Sequence, residues 1–487
     1  MNDHSPKSQL ERVPQNQGES APPHALQQDA HYHFLGVGGI GMSALAGILH
    51  RRGFQVSGSD THEGGEVLRL RREGIPVTIG HDAKGLREAD VVVYSSAIGA
   101  EHPIWAEVER RGLPRLHRAE MLGALSAGRR TLAVTGTHGK TTTSAALGHV
   151  LHRAGWDPTV FVGGHVGQLD GGSNFLEGSG DWFVCEADES DASFLHLAPH
   201  GMLLTNVDED HLDFHGSLAN IQATFASFAH RLPSGGVLVA CADNPGAKAL
   251  ASQLATGGAE APQGVQIVTY GFTPEAQTQV RVTETMPGGM ILRVAEGGED
   301  TEFSTPLFGR HNAANLCGVF AMARALGMER EAVTGGLSAF QGVERRQQFI
   351  GQAGPWAIYD DYAHHPEEIR ATLAGFREAL GGPITVVFQP HLYSRTAHFA
   401  REFAEALRPA ERIFVCEIYG AREAPQPGVT AHLVLEHLSD HPQAAYLPHW
   451  EALLPLAHRG ELPPGLVLTL GAGDITGLGP LLMKELA

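Results

Sequence analysis

Short apolar runs alternate with helical patterns along most of the chain, which predicts parallel sheets flanked by helices. Continuous apolar runs such as residues 89–98, 132–134 and 384–388 are typical of strands that are buried on both faces. We therefore predict an α/β fold in which three doubly wound or mostly parallel sheets follow one another. The expected divisions are a disordered N-terminal tail at 1–30 and three domains at 31–127, 128–342 and 343–487.

The most informative stretch is residues 131–147, TLAVTGTHGKTTTSAAL, which predicts a strand, a glycine-containing turn and a helix in succession. Amide groups in such a turn bind phosphate, and the helix N-terminus adds partial positive charge. Two residues separate the glycines instead of the four of the ordinary Walker motif, yet the strand–loop–helix context is that of a nucleoside triphosphate site. The central domain is therefore predicted to be of the P-loop ATPase type. The ATP-binding candidates in this loop are Gly136, Thr137, His138, Gly139, Lys140, Thr141 and Thr142.

A second glycine-rich loop follows the first predicted strand. Residues 31–60 read HYHFLGVGGIGMSALAGILHRRGFQVSGSD, with Gly36, Gly38 and Gly41 in the spacing of a dinucleotide fingerprint and Asp60 where an acid would meet a ribose. The N-terminal domain is thus predicted to be Rossmann-like. A nicotinamide cofactor is the default ligand of such a domain, but two phosphate-binding loops favour two different phosphorylated substrates.

Acidic clusters end two further strands of the central domain, at residues 186–191 and 208–213. Ligands of open α/β sheets lie beyond the carboxyl ends of strands, where a Mg²⁺–nucleotide needs oxygen ligands. Downstream, His311, Asn312 and Asn315 begin an apolar helix. Their side chains either recognise an adenine edge or merely cap the helix, and spacing alone does not decide between the two.

The last domain is predicted to be Rossmann-like without a dinucleotide loop. Polar residues gather at its strand ends, which favours a substrate-binding edge. They are Asp360, Asp361, Tyr362, His364, His365, His391 and Arg395.

Composition excludes several classes of function. The chain has 35 Lys and Arg against 54 Asp and Glu, a formal charge of −19, and no basic block, so nucleic acid and membrane surfaces are unfavourable partners. Four scattered cysteines, Cys185, Cys241, Cys317 and Cys416, indicate buried thiols in a reducing compartment. The chain has no apolar run of about 18 residues and no signal peptide pattern, so we expect a cytoplasmic protein.

Taken in order, the motifs GVGGIG, GTHGKTT, EADESD, DEDHLDFHG, GRHNAAN, DDYAHHP, FQPHLYSRT and GAGDI resemble the Mur ligase family of peptidoglycan synthesis. The resemblance covers residues 31 to about 480. It implies that ATP activates a carboxylate as an acyl phosphate, which an amino-acid amine then attacks. The implied substrates are UDP-N-acetylmuramate, L-alanine and ATP with Mg²⁺, and the implied assembly is a monomer or weak homodimer.

The resemblance also implies a role for each matching residue. The UDP-sugar would contact Gly36, Gly38, Gly39, Gly41 and Asp60. Lys140 would hold ATP phosphates, and Thr141, Glu186 and His211 would be metal ligands, with Glu189 a neighbour. The nucleotide would also contact His311, Asn315, Arg346 and Asp361. The amino acid would contact His364, His391 and Arg395, with His364 a candidate base; the resemblance makes Lys140, His211, Glu186 and His364 the catalytic set.

Two departures from family patterns matter. Members that add D-glutamate or later residues carry a carboxylated lysine on the helix after DHxD, whereas no lysine lies here between His211 and Lys248, which favours the alanine-adding branch. Some alanine-adding members have arginine where this chain has Leu392, which leaves Arg395 as the main carboxylate partner. Two alternatives remain: a ligase that attaches a recycled peptide to the same sugar nucleotide, and a nicotinamide-dependent oxidoreductase.

Overall fold

A computed structural model describes residues 25–486 apart from 83–84, 87, 170–172, 258–261 and 422. Three β-sheets follow one another, and we call the parts of the chain that build them the first, central and third units. The proposed boundaries at 127/128 and 342/343 fall between sheets and stay predictions. Most of the predicted tail lies outside the described residues.

The first unit is a five-stranded parallel sheet with helices against it. Its elements are β1 His31–Leu35, α1 Ile40–Arg51, β2 Gln55–Asp60, α2 Gly65–Arg72, β3 Val77–Ile79, β4 Val91–Tyr94, α3 Ile104–Arg111, β5 Arg115–His117 and α4 Arg118–Ser126. The strand order is β3-β2-β1-β4-β5. The order reverses beside β1, so the glycine loop after β1 lies at the point where open α/β sheets bind ligands.

The central unit contains a ten-stranded sheet. Its elements are β6 Arg130–Thr135, α5 Lys140–Arg153, β7 Thr159–Phe161, β8 Phe175–Leu176, β9 Trp182–Glu186, β10 Pro199–Leu204, α6 Leu212–His215, α7 Leu218–Ala229, β11 Val237–Cys241, α8 Pro245–Thr256, β12 Gln266–Gly271, β13 Thr278–Met286, β14 Gly289–Glu296, β15 Glu299–Thr305, α9 Arg310–Ala325 and α10 Arg330–Ala339. The order is β15-β14-β13-β12-β11-β10-β6-β9-β7-β8, with β6 beside β9 and β10. The carboxyl ends of these three parallel strands meet at the phosphate loop.

The third unit is a six-stranded sheet in the order β16-β17-β21-β18-β19-β20. Its elements are β16 Gln348–Ala353, β17 Trp356–Asp361, α11 Pro366–Leu380, β18 Ile384–Phe388, α12 Tyr393–Leu407, β19 Arg412–Cys416, α13 His432–Glu436, β20 Ala444–Leu447, α14 Leu453–His458, β21 Gly465–Leu470 and α15 Leu478–Leu486. Only the edge strand β16 is antiparallel among its pairings.

The predicted α/β class and parallel sheets are confirmed, with differences at element ends and edges. Strand β4 covers only part of the predicted 89–98 run, because the residues after Tyr94 form turns. Strands β13–β15 add an antiparallel edge to the central sheet, since they are joined by tight glycine turns. Helix α8 was not predicted, although Asn244 caps it and Pro245 opens it.

Apolar packing is continuous between the first and central units. One buried cluster contains Phe34 and Leu45 of the first unit together with Val134 and Phe183 of the central unit. All four cysteines are buried and free, as predicted. Within the described ranges, none of the helices combines the length and apolar character needed to cross a bilayer.

Candidate active site

The phosphate loop connects β6 to α5 and needs glycine at its last position. Gly139 has φ +83°, and a Cβ there would lie 2.7 Å from Oδ1 of Asn315. The side chain of Asn206, after β10, braces the loop by accepting a hydrogen bond of 2.7 Å from the His138 amide and donating one of 3.1 Å to the His138 carbonyl. Asn206 was not singled out from the sequence, although it lies within the motif TNVDEDH.

Lys140 begins α5 and folds back over the loop. Its ammonium donates to the carbonyl of Gly136 at 2.7 Å and to the carboxylate of Glu189 at 3.0 Å. Glu189 is almost fully buried, and burial raises its pKa to about 7 in spite of the attraction of Lys140. An anionic ligand near Lys140 therefore competes with a carboxylate that can take up a proton close to neutral pH.

Thr141 and Glu186 face each other beside Lys140. The Thr141 hydroxyl lies 3.0 Å and 3.2 Å from the two carboxylate oxygens of Glu186, and the Gly163 amide donates to the same carboxylate at 2.9 Å. A carboxylate and a hydroxyl are oxygen ligands of the kind that Mg²⁺ prefers. The part of the chain that is described has no group of three or more His, Cys, Asp or Glu side chains placed to hold a metal.

His211 lines the same cavity as Lys140 and Glu186. Its backbone is left-handed, with φ +50°, and its Nε2 lies 3.7 Å from the carboxylate of Asp210. Burial lowers the pKa of His211, although Asp210 opposes this effect. The imidazole is therefore neutral at pH 7, which is the form that ligates metals.

Two neighbouring cavities are lined by predicted site residues of the central and third units. The first has a volume of about 290 Å³ and the second about 490 Å³. Residues on the first are His138, Gly139, Thr141, Thr142, His311, Asn315, Arg346 and Asp361. Residues on the second include Thr137, Lys140, Glu186, His211, Arg346 and His364. Both volumes suit small-molecule ligands in proteins.

The two residues predicted to contact adenine lie on the first cavity. Burial lowers the pKa of His311 to about 4, with Arg346 acting in the same direction, so the ring is neutral and can both donate and accept. Asn315 touches the phosphate loop at Gly139. Asn312 is used internally, since its amide donates to the carbonyl of Phe308 and to Gln347.

Asp361 lies at the end of β17 and accepts two backbone hydrogen bonds of 2.8 Å, from Gln347 and Ala363. Burial raises its pKa to about 6, while nearby Arg346 favours the ionised form. Asp361 thus fixes the backbone of the segment that carries Arg346 at the edge of the cavity.

The predicted amino-acid residues are close together in the third unit. The rings of His364 and His391 are 5.7 Å apart, and His391 stacks on Tyr419. Arg395 reaches the central unit, where it lies 3.7 Å from Asp210. Burial lowers the pKa of His364 to about 3, and a general base works best with a pKa near the working pH. This environment disfavours the hypothesis that His364 deprotonates the amine.

The glycine loop of the first unit opens towards the same place. Gly36 has φ +72°, Gly39 precedes α1, and Ile40 lines the second cavity beside Lys140. Gly41 lies against Phe161 of the central unit. The Asp60 carboxylate accepts a hydrogen bond of 2.8 Å from the Gly38 amide, so it holds the loop itself.

Family models match the chain in each of its three units. Three models match in chain order: Mur ligase family, catalytic domain, at residues 31–130; Mur ligase middle domain at 134–323; and Mur ligase, glutamate ligase domain, at 345–473. The chain belongs to the Mur ligase family. The resemblance inferred from its motifs is thereby confirmed.

Two relatives of high similarity share the same description. This Mur ligase is 41% identical to the UDP-N-acetylmuramate–L-alanine ligase of Paenarthrobacter aurescens strain TC1, over 95% of this chain and 98% of the relative. It is 43% identical to the enzyme so described from Mycobacterium tuberculosis strain H37Rv, over 93% and 94% of the two chains.

Solved structures agree on the fold. The UDP-N-acetylmuramate-alanine ligase MurC of Thermotoga maritima superposes with a TM-score of 0.78 at 27% identity, covering 93% of this Mur ligase and 98% of that chain. A murein peptide ligase of Psychrobacter arcticus superposes with a TM-score of 0.70 at 22% identity, over 94% and 98% of the chains, and this likeness concerns the fold alone.

Proposed function

We propose that this Mur ligase is a cytoplasmic enzyme that joins L-alanine to the lactyl carboxylate of UDP-N-acetylmuramate. ATP supplies the phosphoryl group of an acyl-phosphate intermediate, and the products include ADP and phosphate. The observation that carries the proposal is that one cavity is lined by all three units: Ile40 after the glycine loop, Lys140 of the phosphate loop, and His364 of the third unit. Relatives at 41% and 43% identity with this description support it.

Each unit has the chemistry that its substrate requires. The glycine loop and the N-terminus of α1 suit the pyrophosphate of a sugar nucleotide. The ammonium of Lys140, once released from Glu189, neutralises charge on the transferring phosphoryl group. Arg395 presents a guanidinium that pairs with the carboxylate of a small amino acid. Closure of the units around the cavity excludes water, which protects an acyl phosphate from hydrolysis.

Residues suited to a magnesium ion are present. The facing oxygens of Thr141 and Glu186 fit a hard cation, and His211 on the same cavity is a third candidate ligand. A bound Mg²⁺ would neutralise phosphate charge and align the two substrates. Two protein oxygens suffice for this ion when nucleotide phosphates and water complete its shell.

The test is phosphate release by the purified protein with ATP, Mg²⁺ and UDP-N-acetylmuramate, to which single amino acids or a peptide are added. Release that needs both the sugar nucleotide and L-alanine supports the proposal, and a chelator should abolish it. Release only with a peptide acceptor would instead favour the recycling ligase. A melting shift with NADH but not with the UDP-sugar would favour the oxidoreductase and refute the proposal.

A further inference from the structure

Glu368, in the first turn of α11, is in contact with residues of both the central and the third unit. Its carboxylate lies 3.5 Å from Nδ1 of His138 in the phosphate loop and 3.7 Å from Nη1 of Arg346. The His364 amide donates to it at 3.1 Å. The side chain is only 14% exposed. Sequence reasoning assigned no role to Glu368, although it belongs to the stretch IYDDYAHHPEEI.

The partner of Glu368 on the phosphate loop is His138, whose second ring nitrogen can still form a hydrogen bond. The ring of His138 lies 5.0 Å from the ring of His365, and the buried Nε2 atoms of both rings lack a hydrogen-bond partner among the described residues. Buried polar atoms in native proteins are nearly always paired, so such atoms indicate a ligand or water. His138 and Glu368 line both cavities and therefore lie between the nucleotide and acceptor sides.

Charged and titratable groups of the neighbouring elements face His138. Glu368 of α11 and Asp210 after β10 are negative, Lys140 of α5 is positive, and His365 is an imidazole whose pKa burial lowers to about 4. Burial would lower the pKa of His138, but Glu368, with Asp210, raises it above its ordinary value. Glu368 itself stays ionised, since the positive groups around it, His138 and Arg346 among them, outweigh burial and hold its pKa well below the usual range.

We propose that Glu368 is a positioning residue that holds the His138 ring as an imidazolium beside the ATP phosphates while the third unit covers the phosphate loop. The imidazole takes one proton from solvent and forms no covalent bond. The inference rests on the proposed function and deepens it, because it adds a second cation to Lys140. Glu368 and His138 belong to different units, so this charge exists only while the two units are in contact.

The test measures KM for ATP and kcat between pH 6 and pH 9 for the wild type and Glu368→Gln. Glu378→Gln is the matched control, since it makes the same change on an exposed side chain of the same helix. In the wild type, KM should rise as His138 loses its proton. In Glu368→Gln the rise should begin at lower pH, so that KM at pH 7.5 is several-fold higher than in the wild type.

Three outcomes separate the hypotheses. A Glu368→Gln profile that coincides with Glu378→Gln, or that is raised by one constant factor at every pH, would overturn the inference and leave the proposed function intact. A wild type that releases no phosphate with any acceptor would instead refute the proposed function. If Glu368→Gln does not fold, His138→Gln decides: KM must rise less steeply with pH than in the wild type, and an unchanged profile would overturn the inference.

Discussion

His149, on the helix that begins at Lys140, gives a stability prediction that does not depend on catalysis. Its side chain is 5% exposed and packs against Phe340, with ring centroids 5.7 Å apart. Neither ring nitrogen has a hydrogen-bond partner in the described part of the chain. A buried imidazole without partners is costly, so we expect His149→Leu to raise the free energy of unfolding by about 1–3 kcal/mol at pH 8.

The gain should grow at acid pH. Burial lowers the pKa of His149 from 6.5 to about 4, with nearby Arg153 and His152 acting in the same direction. Between these values the unfolded chain binds more protons than the native one, so keeping His149 neutral in the fold costs more stability as pH falls below about 6.5. At pH 5 the wild type should have lost about 2 kcal/mol through this group, and His149→Leu should lose none of it.

The assay is hydrogen exchange of α5 amides, supported by thermal melting, at pH 8 and pH 5. His152→Leu is the control, because that side chain lies exposed on the same helix and should change stability by less than about 0.5 kcal/mol. A His149→Leu protein that is less stable than the wild type at pH 8 would refute the claim of unsatisfied nitrogens. If the stability difference between His149→Leu and the wild type does not increase at pH 5, the predicted coupling between protonation of His149 and stability is refuted.

Three further predictions concern the loops. Lys140→Ala should reduce phosphate release by at least about a thousandfold while the protein stays folded, because the transferring phosphoryl group loses its ammonium; retained release would contradict that role. Asp60→Ala removes the acceptor of the Gly38 amide, so KM for the UDP-sugar should rise about tenfold or more while KM for ATP stays constant, as steady-state kinetics will show. Gly139→Ala would set a Cβ against Asn315 at positive φ, so calorimetry should find ATP binding weakened about tenfold or more, and wild-type affinity would contradict this geometry.

The fold was largely predictable because its signals are local. Strand, glycine turn and helix follow one another within residues 130–153, and the same holds for residues 31–51. The antiparallel edge formed by β13–β15 was harder to predict, since short alternating strands do not reveal their partners. Register and strand order depend on contacts between distant segments, which one sequence does not contain.

The site was predictable where one motif carries its own chemistry. Lys140 and Thr141 belong to such a motif, and the structure places them on one cavity with Glu186 and His211. Their catalytic roles stay predictions. Asn206 and Glu368 could not be predicted from the sequence, because each contacts His138 of the phosphate loop. This residue is 68 positions from Asn206 and 230 from Glu368 along the chain. An asparagine or a glutamate in a polar stretch has no signal of its own until the fold supplies its partner.

The first glycine loop illustrates why a motif does not identify a ligand. Its spacing is that of a dinucleotide site, in which the acid after β2 binds a ribose hydroxyl. Here one oxygen of Asp60 accepts from the Gly38 amide and the other from the His62 amide at 3.2 Å. A carboxylate that is engaged by its own loop is less available to a ribose, while the amides at the start of α1 remain suited to a pyrophosphate. The geometry therefore favours a ligand recognised mainly through its phosphates, as a sugar nucleotide that extends towards Lys140 would be.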